Sequence, residues 1–123
     1  MPRNSRDGSY GRYNSVRKIT RKYLFNAHEQ TFLRLCSGNK ERDAERREFI
    51  RIVDQTMESL DYFDRDIIQK EFLNVDGNKF WWISIYPRST YYRFRGIAVN
   101  AFLEKFYAKY KETYGFDFYS YIG

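Results

Sequence analysis

The stretch KFWWISIYPRSTYYRFRGIAVNAFLEKF, residues 79–106, decides the fold of this chain of 123 residues. Its first part is aromatic and apolar, Pro87 marks a turn, and a regular apolar spacing begins after the proline. We therefore predict a short helix anchored by Trp81 and Trp82, a tight turn, and a longer second helix. A supporting helix, a turn and a second helix with donors in its first turns make a helix-turn-helix motif, predicted here for residues 79–107.

The second predicted helix has an apolar side and a polar side. Its apolar residues recur at spacings of three and four, as one helix face requires: Tyr91, Phe94, Ala98, Phe102 and Phe106. The same spacing leaves four donors pointing outward: Arg88, Ser89, Tyr92 and Arg93. At the start of such a helix these donors would meet base edges in the major groove of DNA. Phosphate contacts are expected from three further residues: Lys79, Thr90 and Arg95.

Gly96 lies inside this predicted helix. Glycine costs about 1 kcal/mol relative to alanine at such a position, so close approach of either the preceding helix or a phosphate group would explain it. The outward Arg and Tyr side chains also have a simpler interpretation. They can be solvated, stack on a neighbouring ring or contact another subunit.

The rest of the chain predicts an all-α fold of four to five helices, with a helical domain over residues 16–112. Apolar spacings of three and four predict one helix over 16–36 and a second over 40–60. A third helix is expected to start near Phe63 and Asp64, where the carboxylate can cap free amide groups. We expect at least one tryptophan to be buried against this third helix.

Both ends of the chain differ from this domain. Residues 1–15 mix Gly, Ser, Asn, Arg and Tyr without an apolar period, which predicts a flexible basic arm carrying Arg3, Arg6 and Arg12. Residues 113–123 form an aromatic C-terminal tail. Residues 1–22 and 79–111 each hold seven Lys or Arg and a single acidic residue. Two such segments suit counterion release from a nucleic-acid backbone.

Several classes of function are disfavoured. The sequence has no Gly-rich phosphate loop and no HExxH motif, so we expect no catalytic residue, no cofactor and no enzyme activity. Cys36 and His28 are the only cysteine and histidine, which excludes a zinc cluster of these residue types within one chain. No run is long and apolar enough for a membrane span and the N-terminus starts no signal region. A cytoplasmic location without membrane contact is therefore expected.

The run from Leu60 to Phe106 contains LDYFDRDIIQKEFL, then WW, then PRSTYYRFRGIAVNAFLEKF. It resembles the C-terminal part of the ArpU-type phage transcriptional regulators and, through them, region 4 of the sigma-70 factors. The places of the family pattern are held by Ser89, Thr90, Tyr91, Tyr92, Arg93 and Ala98. The resemblance implies a transcriptional regulator that binds double-stranded DNA, with RNA polymerase as a further partner.

Two other functions stay open at this point. The chain could be a non-catalytic protein-interaction module that contacts polymerase or another assembly through its aromatic C-terminal helix and tail. It could also bind RNA through the Arg/Tyr arm, because aromatic and guanidinium planes stack on unpaired bases. The sequence specifies neither the oligomeric state nor the sign of any regulation.

Overall fold

Four α-helices build the fold in this computed structural model, which describes residues 3–33, 40–74 and 77–115, with side chains for 11–28, 43–74 and 77–115. The helices are α1 (Arg3–Leu33), α2 (Lys40–Ser59), α3 (Tyr62–Ile68) and α4 (Arg88–Tyr114). Helix α3 runs on into one π-helical turn, Gln69–Leu73, called the π turn below. The part of the chain that the structure describes has no β-strand, so the all-α prediction is confirmed.

Helix α4 packs against all three other helices and supplies the largest share of the core. Its buried residues include four of the five in the predicted apolar stripe, and Phe94, the fifth, is half-buried. Helices α1 and α2 pack against α4 and against each other through buried aliphatic and aromatic side chains: Val16, Ile19, Phe49, Ile52 and Val53. The period of 3.6 residues thus predicted the buried face of α4.

Helix α3 starts about one turn after α2 ends. Side chains stabilise the start of α3 and the end of α2. Asp61 caps α3, its carboxylate accepting from the Asp64 amide at 2.9 Å, so the cap lies three residues before the carboxylate predicted for it. The Arg65 guanidinium donates to backbone carbonyls at the end of α2, including Met57 at 2.9 Å and Leu60 at 2.8 Å. Carbonyls at the end of a helix lack some of their intrahelical partners, so the Arg65 side chain supplies further donors there and joins the two helices.

The structure has a helix where a flexible arm was predicted. Helix α1 begins at Arg3, so residues 3–15 are its first half. The physical reason is visible at Tyr13, whose ring lies 4.9 Å from that of Phe72. Because α1 is already formed by its core residues, each further residue adds a hydrogen bond at low cost, even in a polar sequence.

The short helix predicted around the two tryptophans is also absent. Residues 79–86, called the turn segment, form successive turns with bonds from the amides of Trp81, Ile83 and Ile85 to carbonyls three residues back. Aromatic and β-branched side chains favour a helix poorly, and Pro87 keeps the residue before it out of helical geometry. A strict helix-turn-helix with residues 79–86 as its first helix is therefore not formed.

Trp82 is buried, as expected of at least one tryptophan, but the ring that it stacks on belongs to α4, whereas burial against the third helix was predicted. It is 7% exposed, and its ring stacks on that of Tyr91, 4.5 Å away and 5° from parallel. Trp81 is half-buried and meets Tyr91 edge-on at 5.4 Å. The turn segment is thus held onto the first turn of α4 by aromatic packing rather than by helical hydrogen bonds.

Both ends of α4 are defined by backbone geometry. Pro87 occupies the position before the helix and no side chain caps it. The backbone N–H groups at the start of the helix therefore have no side-chain acceptor. At the other end Gly115 has a φ of 79° and its amide donates to the Lys111 carbonyl at 2.7 Å. Only glycine adopts this left-handed conformation without strain. Cys36 and residues 116–123 of the predicted tail lie outside the described residues.

Candidate nucleic-acid interface

Six of the residues predicted to contact DNA lie on the first two turns of α4. Four of them are exposed: Arg88, Ser89, Tyr92 and Arg93. The other two, Thr90 and Arg95, are half-buried. Arg88 and Tyr92 are four residues apart and share one side of the helix, whereas Ser89 and Arg93 lie about 100° further around the axis.

Aromatic rings hold the cations on the first of these sides. The guanidinium carbon of Arg88 lies 5.6 Å from the centre of the Tyr92 ring, and that of Arg95 lies 4.7 Å from the same ring. Arg95 is also 4.4 Å from the ring centre of Tyr13, so its guanidinium contacts an aromatic ring from each of two helices. Each such pair is worth about 0.5–1 kcal/mol at an exposed site, enough to favour one arrangement of these long side chains.

Helix α1 adds a further cation beside Gly96. A small cavity of about 40 Å³ is lined by Arg12, Tyr13, Tyr92, Arg95, Gly96 and Val99. A Cβ atom added to Gly96 would meet no described atom within 4 Å, so a neighbouring helix does not explain this glycine. The four residues Arg12, Arg88, Tyr92 and Arg95 are called the α4 cluster below.

Glu71 on the π turn ties the cluster to the rest of the fold. Its carboxylate accepts hydrogen bonds from the hydroxyls of Tyr13 at 3.0 Å and Tyr91 at 2.5 Å, and lies 3.7 Å from the Arg95 guanidinium. Only 14% of the Glu71 side chain is exposed. One carboxylate therefore joins α1, the π turn and α4, and the three arginines of the cluster outnumber it.

The same contacts change the titration of the tyrosines. Burial and the hydrogen bond to Glu71 raise the pKa of Tyr91, and burial together with the negative charge of Glu71 raises the pKa of Tyr13. On the other side of α1, burial and a 2.7 Å hydrogen bond to Asp54 raise the pKa of Tyr23 to about 12. Each of these hydroxyls stays protonated, as a donor to a carboxylate must.

Other predicted contact residues lie apart from the cluster. Lys79, in the turn segment, lines a different groove between α1 and the π turn. Arg93 lies over the ring of Phe94, 5.5 Å from its centre, about 100° around α4 from the side of Arg88 and Tyr92. Helix α1 contains Arg3 and Arg6, but their side chains are outside the described part of the structure.

Sequence reasoning missed the contribution of α1 and the π turn. Tyr13, Arg17 and Arg21 follow one another at intervals of four residues, a spacing that would have placed them on one side of a helix that starts earlier. Glu71 gave no comparable signal, because its partners Tyr13 and Tyr91 are 58 and 20 residues away in the chain.

The described residues offer neither a metal site nor a membrane-spanning helix. No group of three or more His, Cys, Asp or Glu side chains there could hold a metal ion. None of the described helices is both long and apolar enough to cross a membrane. No protein-family model matches the chain, and no curated protein or solved structure is significantly similar to it.

Proposed function

We propose that this chain binds double-stranded DNA through the start of α4 and acts in the control of transcription, with RNA polymerase as a partner. The observation that supports the proposal best is the α4 cluster, in which three arginines surround an exposed tyrosine beside an uncapped helix start. Guanidinium groups bind phosphates and guanine edges, and the free amides of a helix start favour anions. The regulatory role and the polymerase partner rest on the sequence resemblance alone.

In this proposal α4 is the recognition helix. An α-helix fits the major groove of B-DNA, and the residues of its N-terminal turns reach the base edges. Arg88, Ser89, Tyr92 and Arg93 would contact bases. Arg12 and Arg95 would contact phosphates on the α1 side, and Thr90 would do so from the first turn. Helix α3, which packs against α4, would serve as the supporting helix in place of the turn segment.

Arginine substitutions on α4 test this proposal. Arg88→Ala and Arg93→Ala should each weaken binding to a specific duplex by about 1–3 kcal/mol without changing helicity. The matched control is Lys105→Ala, an exposed cation about 25 Å further along the same helix, which should change affinity little. Binding to duplex DNA, single-stranded RNA and purified polymerase is measured over a range of salt concentrations. Equal duplex affinity in all three variants and wild type, with normal circular dichroism, would contradict the proposal.

A second function is favoured by one observation. Phe80, Ile83 and Ile85 of the turn segment are 60%, 59% and 57% exposed, which is unusual for three large apolar residues so close in the chain. Such side chains suit a protein partner. If the chain is a protein-interaction module, Ile83→Ser and Ile85→Ser should abolish polymerase capture while duplex binding is absent in wild type and variants alike. Preference for single-stranded RNA over duplex DNA would favour RNA binding instead.

A further inference from the structure

A second basic surface lies between α1 and the π turn, on the side that the α4 cluster does not cover. The groove there encloses about 360 Å³, and four cations line it: Arg17, Arg21, Lys70 and Lys79. Tyr13, Phe72 and Asn74 complete much of its wall. Its volume falls in the range of ligand pockets, which is about 300–1,000 Å³. We call it the α1 groove.

The groove has an excess of positive charge. Its carboxylate, Glu71, already accepts from two tyrosines and faces Arg95. Lys70 pairs with Asp66 at 3.2 Å and lies 4.8 Å over the Trp81 ring. Among the residues that the structure describes, no ion pair is found for Arg17, Arg21 or Lys79.

The α1 groove and the α4 cluster adjoin each other. Tyr13 lines both the groove and the cavity at Gly96, so the two basic surfaces meet at one side chain. From Arg12 to Arg21 helix α1 rises about 14 Å, at 1.5 Å per residue. One DNA strand presents a phosphate about every 3.4 Å of helix axis, so this length corresponds to about four nucleotides.

We propose that the α1 groove binds backbone phosphates of the same nucleic acid molecule that the α4 cluster binds, an inference that rests on the proposed function. Arg17 and Arg21 supply the phosphate contacts from α1, with Lys79 on the opposite wall. The bound nucleic acid then extends past the start of α4 and runs along about two helical turns of α1. A free polyphosphate has the same phosphate chemistry and is the alternative source that the experiment separates.

The test uses the full chain with the double variant Arg17→Ala/Arg21→Ala. Its control is Arg51→Ala/Lys105→Ala, which removes the same charge from exposed residues elsewhere on the fold. Neither pair is in the core, so melting curves and circular dichroism should match those of wild type. Affinity for a long and a short duplex is measured against salt concentration, and tripolyphosphate is titrated separately.

The groove variant should lower the slope of log affinity against log salt by about 2 units, because each phosphate contact contributes about 0.9. The loss should be seen with the long duplex and be small with a short duplex that reaches only α4. An unchanged slope in the groove variant, while Arg88→Ala still weakens binding, overturns this inference and leaves the proposed function standing. Wild-type protein that binds no nucleic acid overturns both. Tripolyphosphate binding that depends on Arg17 and Arg21, with the duplex slope unchanged, overturns the inference in favour of a free ligand.

Discussion

The Glu71 side chain contacts residues of α1 and α4, so its charge should matter to stability. Replacing it with glutamine keeps the shape but removes the charge that two tyrosine hydroxyls and Arg95 share. We expect Glu71→Gln to lower the free energy of unfolding by about 1–3 kcal/mol, since glutamine keeps only one acceptor oxygen for the two tyrosine hydroxyls and has no charge to pair with Arg95. Glu58→Gln, at an exposed carboxylate of α2, should cost less than about 0.5 kcal/mol. Urea denaturation measures the stability of both variants. Equal midpoints would contradict a stabilising role for the Glu71 charge.

Tyrosine ionisation should set an alkaline limit to stability. The pKa of Tyr23 is raised to about 12 in the folded protein, so above pH 10 the unfolded chain loses a proton that the folded chain keeps. This contribution is complete below pH 10 and is lost as pH rises towards 12. Tyr23→Phe should flatten the loss of stability over that window, and Tyr62→Phe, at a tyrosine that is 80% exposed, is the control. Identical pH profiles for wild type and Tyr23→Phe would contradict this.

At the scale of single helices, a substitution at Gly96 should change stability and binding in opposite directions. Alanine at Gly96 would meet no described atom within 4 Å, so Gly96→Ala should raise the free energy of unfolding by about 1 kcal/mol. Its methyl group would reduce the small cavity beside Arg12 and Arg95, and nucleic-acid affinity should fall. The control is Gly11→Ala, also mid-helix and unobstructed, which should stabilise α1 without reducing affinity as much. If both variants bind like wild type, no ligand approaches Gly96.

Helices with a clear apolar period could be predicted from the sequence, and elements held by distant contacts could not. The predicted range of α2 ends within one residue of the observed end, and the stripe on α4 is buried, because burial of one face imposes that period. Residues 81–85 are as apolar as a buried helical segment, but they form turns. Packing of Trp81 and Trp82 on the Tyr91 ring takes the place of helical hydrogen bonds there. Composition alone does not distinguish these two outcomes.

The candidate site was predictable to a similar extent. The exposed donors on α4 follow from its period. The contribution of α1 to the site could not be predicted, because residues 3–15 lack any apolar period. Their helical state depends on contacts such as the one between Tyr13 and Phe72. Local pattern cannot report a contact made across 59 residues of chain.

At the scale of the whole molecule, the N-terminal part of α1 is expected to serve both folding and binding. Deleting residues 1–14 removes Tyr13, with its hydrogen bond to Glu71 and its packing on Phe72, and should cost about 1–3 kcal/mol of unfolding free energy. Deleting only residues 1–10 keeps Tyr13 and should cost less. Both deletions should reduce the salt dependence of nucleic-acid affinity, because Arg3 and Arg6 are lost. Melting curves and salt titrations of the two truncations check this, and equal melting temperatures would mean that Tyr13 contributes nothing.

The central position of α4 has a consequence for how the chain acquires its structure during synthesis. Among the side chains that the structure describes, seven of the sixteen buried hydrophobic residues belong to α4, the last of the described helices to be translated. At roughly 5–20 residues per second, a ribosome takes on the order of 1–5 s to make its 27 residues. Throughout that time the apolar faces of α1, α2 and α3 lack their main covering and are open to chaperones. Released chains that end at Pro87 should therefore be digested by protease far faster than chains that extend past Gly115.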